Sequence, residues 1–204
     1  MILTIPLGML QANCYLVYDE QSHDGLIIDP GGPVDPLADE IAQRNVKIRA
    51  ILNTHGHFDH VAGNGELTEY QAPFGIHPDD RELLLDGGGA RWFGLPADPS
   101  PAPSWDLVEG QTFSAGTLHI EILHTPGHTP GSICILIPAE NALFTGDLLF
   151  AGNIGRVDLP GGNAYAMRDS LKKLLSLAPE LDVYPGHGPQ TTLAQERQHN
   201  PWLQ

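Results

Sequence analysis

One short segment of the sequence concentrates side chains that bind metal ions. The segment "NTHGHFDHVAG" holds His55, His57, Asp59 and His60 within six positions. A solvated loop has no need of so many imidazoles, and a strand in the core would carry Val or Ile instead. The pattern H-x-H-x-D-H therefore indicates a metal site.

Three further donors follow apolar, strand-like segments and stand in turns that contain glycine, which lets the backbone bend tightly around a ligand. They are His128 in "HTPGHTPGS", Asp147 in "LFTGDLL" and His187 in "VYPGHGP". A single catalytic zinc ion takes three protein ligands and one water. Seven donors therefore predict two divalent ions that share one carboxylate. Nitrogen and oxygen donors suit Zn²⁺, which we expect, and also Fe and Mn²⁺.

The remaining histidines lack such neighbours. We interpret them as structural residues and not as ligands: His23, His77, His119, His124 and His199.

The elements that must position the donors can be read from the apolar pattern. "ILTIPLG", "NCYLVYD" and "GLIID" are typical of strands, and "KIRAILN" is the strand that delivers the histidine segment. Helices are predicted at about 34–44, 60–70 and 190–198, with another at about 164–178. The apolar face of that helix is Met167, Leu171, Leu174, Leu175 and Ala178. The order of elements gives two similar halves, and thus two sheets packed face to face with helices outside.

Composition narrows the function classes. The length of 204 residues suits one domain, predicted over 1–204. A formal charge of −15 with ten basic residues argues against a nucleic-acid partner, because phosphate binding relies on Lys and Arg. No apolar run approaches 18 residues, which predicts no membrane span, and the N-terminus reads as a strand and not as a signal peptide. Cys14 and Cys134 are expected to be buried free thiols in a cytoplasmic protein.

A long segment at 86–110 interrupts the regular pattern. It is rich in Gly and Pro, and a loop of this length in a compact domain is usually functional or disordered. Its aromatic residues weigh against disorder. We predict that the segment borders the substrate entrance, with Trp92 and Phe93 as apolar contacts; the alternative is that they fill a gap in the fold or pack against a second subunit.

The motifs "THGHFDH", "TPGHTPGS", "FTGD" and "PGHG" resemble, in this order, the metal motifs of the metallo-β-lactamase superfamily. Within it, "GRVDLPGGN" and the ending "GHGPQTTLAQERQHNPWL" resemble short glyoxalase II-like proteins of the hydroxyacylglutathione hydrolase type. The resemblance runs from "QANCYLV" to the C-terminus. It implies an α+β fold, the four-layer αβ/βα sandwich with two mixed β-sheets face to face.

The resemblance also implies roles for individual residues. His55, His57 and His128 would hold one ion, Asp59, His60 and His187 the other, and Asp147 would bridge them. Asp59 and Asp147 would be the catalytic carboxylates. Asp29 of "IIDPGG" would not touch the metal itself; it would form a hydrogen bond to one of the metal-binding side chains and so orient it.

The chemistry implied is hydrolysis of a hydroxyacyl thioester, such as S-lactoylglutathione, by a metal-bridging hydroxide. Two metal ions lower the pKa of water toward ~7 and polarise a carbonyl oxygen. A thioester suits such a site, because its leaving thiolate, whose conjugate thiol has an ordinary pKa of about 8.5, needs little help from a general acid. The partner is therefore a small thioester or related acyl substrate; the oligomeric state is left open.

Two departures from full-length glyoxalase II enzymes bear on the substrate. Only a short tail follows His187, so their C-terminal helical domain, which helps to hold glutathione, is expected to be absent. Arg156 stands where they have a Lys for a substrate carboxylate, and Asp158 replaces a Tyr. Arg156 is predicted to contact an anionic group, while the substrate stays open between a glutathione thioester and another thioester or ester.

The sequence is also compatible with other functions. A persulfide dioxygenase of the same superfamily would hold a single iron with His55, His128 and Asp147 and would oxidise rather than hydrolyse. A lactonase is a further option, and a metal-binding regulatory module without turnover is an option of another class.

Overall fold

The first half of the chain builds a mixed sheet of six strands in sequence order. The first three strands pair antiparallel and the following ones parallel. The computed structural model describes residues 1–97 and 100–203. The strands of this sheet are β1 (Ile2–Leu7), β2 (Ala12–Tyr18), β3 (Asp24–Ile28), β4 (Lys47–Leu52), β5 (Phe74–Ile76) and β6 (Trp105–Asp106).

The second half builds another mixed sheet, also of six strands, and a separate two-stranded hairpin. The strands of the second sheet are β7 (Thr112–Ala115), β8 (Leu118–His124), β9 (Ile133–Ile137), β10 (Ala142–Gly146), β13 (Asp182–Pro185) and β14 (Thr191–Thr192). The hairpin consists of β11 (Leu149–Phe150) and β12 (Asn153–Ile154). The order across the sheet is β14-β13-β10-β9-β8-β7, in which β10 and β13 are parallel.

Within the described residues, five α-helices complete the layers. They are α1 (Asp35–Arg44), α2 (Phe58–Val61), α3 (Arg81–Leu85), α4 (Ala164–Leu174) and α5 (Leu193–His199). Leu37 and Ile41 of α1 pack on the outer face of the first sheet. Met167 and Leu171 of α4 pack with residues of the second sheet.

The core between the sheets is apolar and buried. It contains Leu26 and Leu52 from the first sheet and Ile122, Ile135 and Phe144 from the second. The layer order is helix, sheet, sheet, helix, as expected for the αβ/βα sandwich. Cys14 and Cys134 are buried free thiols, and none of the described helices is long and apolar enough to span a membrane.

The structure corrects three local expectations. Residues 60–70 do not form one helix: α2 ends at Val61, and a separate 3₁₀ turn covers Glu66–Tyr70. The helix expected to reach 178 ends at Leu174. The 86–110 segment is more ordered than a plain loop, because it contains a 3₁₀ turn at Ala90–Phe93 and strand β6; its residues 98 and 99 lie outside the described ranges.

Candidate metal centre

The histidine segment follows directly from the end of β4, beside the parallel strand β3. Parallel pairing places Asp29, just after β3, next to Thr54. The Asp29 carboxylate accepts hydrogen bonds from the backbone N–H of Thr54 at 2.7 Å and from its hydroxyl at 2.6 Å. Both residues are buried. Asp29 therefore fixes the start of the segment that carries the first four donors.

Hydrogen bonds orient three of the imidazole rings. Because the acceptors are a carboxylate, a hydroxyl already engaged as a donor and a carbonyl, Nδ1 carries the proton in each ring. His60 donates to Asp29 at 2.9 Å, His55 to the Thr54 hydroxyl at 3.1 Å, and His128 to the carbonyl of Arg156 at 2.7 Å. The metal-binding atom of each ring is therefore Nε2, once any proton on it has been displaced.

A first donor group consists of His55, His57 and His128. All three side chains are buried, and one nitrogen from each lies within 4.8 Å of the others. Nδ1 of His57 stands 2.8 Å from Nε2 of His128. Nε2 of His55 is buried without a hydrogen-bond partner. Three imidazoles that converge in this way match the three-histidine ligand set of catalytic zinc sites.

A second donor group consists of Asp59, His60 and His187, whose ligand atoms also lie within 4.8 Å of one another. Nε2 of His187 is 3.1 Å from the Asp59 carboxylate. Asp147 stands between the groups. One of its oxygens is 3.4 Å from Nε2 of His60, and the other is 3.6 Å from Nε2 of His128.

These residues fit divalent metal ions on two counts. Buried polar atoms normally have partners, yet Nε2 of His55, Nε2 of His60 and Oδ1 of Asp147 have none. Nε2 of His60 and Oδ1 of Asp147 lie 3.4 Å apart, where the two groups meet. A cation there would satisfy them together, and a set of imidazole and carboxylate donors is one that zinc, iron and manganese accept.

The two groups differ electrostatically. Burial, and then neighbouring imidazoles, lower the pKa of His55 well below its ordinary value. Burial and then His128 lower the pKa of His57 to about 3. Burial also acts to lower the pKa of His60, but Asp59, Asp147 and Asp29 outweigh it and raise that pKa to about 10. Thus His55 and His57 offer neutral donors, whereas a proton on His60 supplies positive charge beside the carboxylates of the second group.

A cavity of about 460 Å³ opens in front of the donors. Of the predicted substrate contacts, Phe93 and Arg156 line this cavity. Trp92 is half-exposed beside it, with its ring edge-on to His57 at a centroid distance of 5.9 Å. Met9 and Leu10, which the sequence pattern did not single out, also line the cavity.

Comparison with known proteins agrees with this architecture. The family model of the metallo-beta-lactamase superfamily matches residues 7–187. The chain belongs to the metallo-β-lactamase superfamily. Hydroxyacylglutathione hydrolase GloC of Haemophilus influenzae is 36% identical over 207 residues, which cover 98% of this chain and 96% of that protein. With this match and the donor groups described above, the chain is a metallo-hydrolase of the superfamily.

Solved structures of superfamily members are similar over nearly the whole chain. BLEG-1 B3 metallo-beta-lactamase gives a TM-score of 0.94 at 36% identity, with 100% of this chain and 99% of that one covered. TTHA1623 in a di-iron-bound form gives a TM-score of 0.90 at 42% identity, with 98% of this chain and 100% of that one covered. ETHE1 from Myxococcus xanthus gives a TM-score of 0.81 at 29% identity, with 98% of this chain and 83% of that one covered. The di-iron form of a relative leaves the metal of this superfamily member open between zinc and iron.

Asp80 is a part of this superfamily member's site that sequence reasoning missed. Its side chain is buried, and its carboxylate accepts hydrogen bonds from the N–H of Gly56 at 2.8 Å and of Gly131 at 2.7 Å. The Thr129 hydroxyl donates a third at 2.6 Å. Gly56 separates two ligand candidates and Thr129 follows His128. Asp80 therefore holds together the two loops that supply the first donor group.

Close backbone approaches surround Asp147. A Cβ at Gly186 would lie 2.2 Å from Oδ1 of Asp147, and one at Gly155 would lie 1.7 Å from the Asp147 carbonyl oxygen. Asn13 of β2 secures the His187 loop by donating to the carbonyls of residues 185 and 188, each at 2.9 Å. Gly186 thus makes room for the Asp147 carboxylate, and Gly155 makes room for the backbone carbonyl of the same residue.

A third group of potential donors, His77, Asp79 and His124, lies apart from this centre. The rings of His77 and His124 are stacked, with centroids 3.9 Å apart and planes at 10°. An imidazole binds a metal ion in its own ring plane, and two parallel planes share no such point. His77 instead caps a 3₁₀ turn by accepting from the N–H of Asp79.

Proposed function

We propose that this metallo-hydrolase cleaves a hydroxyacyl thioester, of which S-lactoylglutathione is an example, with two divalent ions per chain. The observation that carries the proposal is Asp147, whose two oxygens face donors of both groups at 3.4 and 3.6 Å. His55, His57 and His128 would hold one ion, and Asp59, His60 and His187 the other, with Asp147 shared. When bound, such ions supply a Lewis acid and lower the pKa of water toward ~7.

The chain's own residues would orient and enclose the reacting groups. Asp29, Thr54 and the carbonyl of Arg156 keep the Nδ1 protons in place, so that Nε2 of three rings faces inward. Preorganised polar groups of this kind need no rearrangement during reaction. Phe58 and Phe93 on the cavity wall exclude water from around an acyl group.

The residues at the cavity favour a leaving group that needs no proton. Among the described lining residues, the titratable groups other than the donor candidates are limited to Arg156. A guanidinium stays protonated at neutral pH and is a poor general acid. A thiolate leaves without prior protonation, whereas an amide nitrogen does not. A thioester therefore matches this site better than an amide.

Thiol release from S-lactoylglutathione tests the proposal. Protein stripped with a chelator should lose activity and regain it with Zn²⁺, Fe²⁺ or Mn²⁺. Elemental analysis of the reloaded protein should give two ions per chain, and His187→Ala should leave one. Asp147→Ala should lose both ions and activity together. Loaded protein that holds two ions yet releases no thiol from any acyl thioester would refute the proposal; a β-lactam should be included because of the similarity to BLEG-1.

A persulfide dioxygenase is the second candidate, favoured by the similarity to ETHE1. His55, His128 and Asp147 would then hold one iron. Against it stands the second donor group, in which Asp59, His60 and His187 also converge. One iron per chain, oxygen uptake with a persulfide and no thiol release would establish the dioxygenase instead.

A further inference from the structure

The mouth of the cavity is apolar on several sides. Its lining includes six apolar side chains from separate parts of the chain: Met9, Leu10, Phe58, Phe93, Leu95 and Leu159. Met9 is 75% exposed, and Leu10 and Phe93 are each 50% exposed. Exposed apolar side chains that gather around one concave site mark a binding surface, whereas scattered ones need no explanation.

The turn that carries Met9 and Leu10 is held in place. Gly8, at φ +67°, packs so closely on Gly31 that a Cβ would lie 2.7 Å from its carbonyl oxygen. The side chain of Gln11 closes the turn by donating to the carbonyl of Gly8 at 2.7 Å. The backbone thus keeps the two apolar side chains at the cavity rim, where they have solvent on one side.

The charges at the mouth do not suit an anionic group. Arg156, the one Lys or Arg among the described lining residues, donates two hydrogen bonds to Asp158, at 2.7 and 2.8 Å. The hydrogen bond from Arg156 lowers the pKa of Asp158 to about 2, so the pair is neutral overall. A glutathionyl group carries two carboxylates and one ammonium. Neither a free cation at the mouth nor the chain's net charge of −15 favours its carboxylates.

We propose that this mouth binds the apolar, uncharged part of the substrate, so that the preferred thioester carries an aliphatic or aromatic group in place of glutathione. The inference rests on the proposed thioester hydrolysis and narrows its substrate class. The volume of about 460 Å³ accommodates a phenylethyl-sized group beside a small hydroxyacyl group. Arg156 stays paired with Asp158 while this substrate is bound.

Matched thioesters test the preference. On metal-loaded protein, the lactoyl thioester of 2-phenylethanethiol should have a kcat/KM about tenfold higher than S-lactoylglutathione. The difference should lie in KM, because apolar burial is shared by ground and transition states. The phenyllactoyl thioester of glutathione is the control for the acyl side of the substrate: a gain with the phenylethanethiol compound supports the inference, whereas a gain with this control alone would overturn it. Equal values for all three, or a preference for S-lactoylglutathione, would overturn it.

A double variant ties the preference to the rim. Met9→Ser with Leu10→Ser should lower the ratio of the two kcat/KM values about tenfold, toward one. Val108→Ser with Tyr165→Ser removes two apolar side chains that are also exposed but do not line this cavity; this control should keep the original ratio. The inference fails if the rim variant keeps the ratio or if both variants reduce it equally.

A binding measurement separates this inference from the proposed function. Quenching of tryptophan fluorescence can report binding of thioether analogues that cannot be hydrolysed. The phenylethyl thioether should bind about ten times more tightly than its glutathionyl counterpart, whether or not any thioester is cleaved. If no thioester is cleaved, the proposed function fails, and this comparison alone decides the apolar preference; equal or reversed affinities would reject it.

Discussion

The protonation of single histidines distinguishes the two donor groups. In the first group, the pKa of His57 is about 3 and that of His55 is also far below its ordinary value, because both rings are buried. Protons on His55 and His57 therefore compete little with a metal ion at neutral pH. In the second group, the carboxylates outweigh the effect of burial and raise the pKa of His60 to about 10. A metal ion must displace that proton, and the competition strengthens as pH falls.

Acid should therefore release the ion of the second group first. Elemental analysis after desalting at a series of pH values should show a fall from two ions to one between about pH 8 and 5, since each pH unit weakens the second site about tenfold. His187→Ala, which disrupts the second group, should keep its single ion down to pH 5. Early loss of the ion in that variant would contradict the assignment.

Asp80 holds the two loops that carry the first donor group. Removal of its carboxylate leaves the buried N–H groups of Gly56 and Gly131 without acceptors, at a cost of roughly 1–3 kcal/mol each. Asp80→Ala should weaken metal binding at the first group about 10–100-fold, as loss of outer hydrogen-bond partners does. The second group should change far less. Titration against a competing chelator measures both sites.

Two comparisons separate this positioning role from general stability. Asp80→Asn keeps the shape and one acceptor oxygen, and should restore part of the affinity. Asp106→Ala removes a carboxylate that is exposed and paired with Arg81, and should leave both sites unchanged. Equal weakening at both groups by Asp80→Ala, with a lower melting temperature, would mean that the residue only supports the fold.

Residue types in sequence could indicate the donors but not Asp80. The donors share a recognisable setting, a histidine or aspartate at the end of an apolar strand. Asp80 stands in "PDDRELLLD", where acidic residues are explained by the first turn of a helix. Its partners lie 24 to 51 residues away in the sequence. Such distant hydrogen bonds leave no local pattern.

At the scale of elements, the loops around Asp147 depend on glycine. Gly186→Ala should displace Asp147, because the new Cβ would lie 2.2 Å from its Oδ1 and 2.8 Å from the His60 ring. We expect loss of bound metal and of activity, measured by elemental analysis and thiol release. Gly65→Ala is the matched control: a Cβ there meets no atom within 4 Å, and its φ of −61° suits alanine. Full metal content in Gly186→Ala would contradict this expectation, because the loop would then be able to shift and accommodate the added methyl group.

The elements that were predicted wrongly have identifiable causes. The helix expected at 60–70 is broken because the chain must pack Gly63 against the turn after β3, where its N–H donates to the carbonyl of Pro30 at 2.7 Å. The sequence does contain a signal for the end of α4, which is Pro179. Pro179 has no N–H for the carbonyl of Leu175, and it disfavours helix at residue 178. Arg197 of α5 supplies that carbonyl with a donor at 2.6 Å.

At the scale of the whole molecule, each donor group draws on both halves of the chain. His55 and His57 of the first half meet His128 of the second, and Asp59 and His60 meet His187. The order of strands and helices along the sequence predicted two similar halves with facing sheets. Which donors of the two halves meet in each group was not visible in that order; the assignment followed from the family resemblance.

Metal removal should therefore loosen the packing of the two halves. A ligand present at a thousand times its dissociation constant stabilises the folded state by about 4 kcal/mol, and each kcal/mol is worth roughly 2–4 °C in a domain of this size. Chelation should thus lower the melting temperature by roughly 10 °C, measured by calorimetry. In Asp147→Ala, which should hold no metal, the chelator should have little effect. An equal shift in that variant would mean that the chelator acts elsewhere.

The sharing of each donor group between the halves also matters while the protein is being made. His187 comes 128 residues after its partner Asp59. During synthesis, the histidine segment emerges long before the residues that complete either group. Until then it is an incomplete cluster of imidazoles that could bind more than one kind of ion, and the choice of metal would become final only when His187 joins the second group. The cellular supply of ions at that moment, as much as the donor set, would then decide which metal the finished enzyme carries.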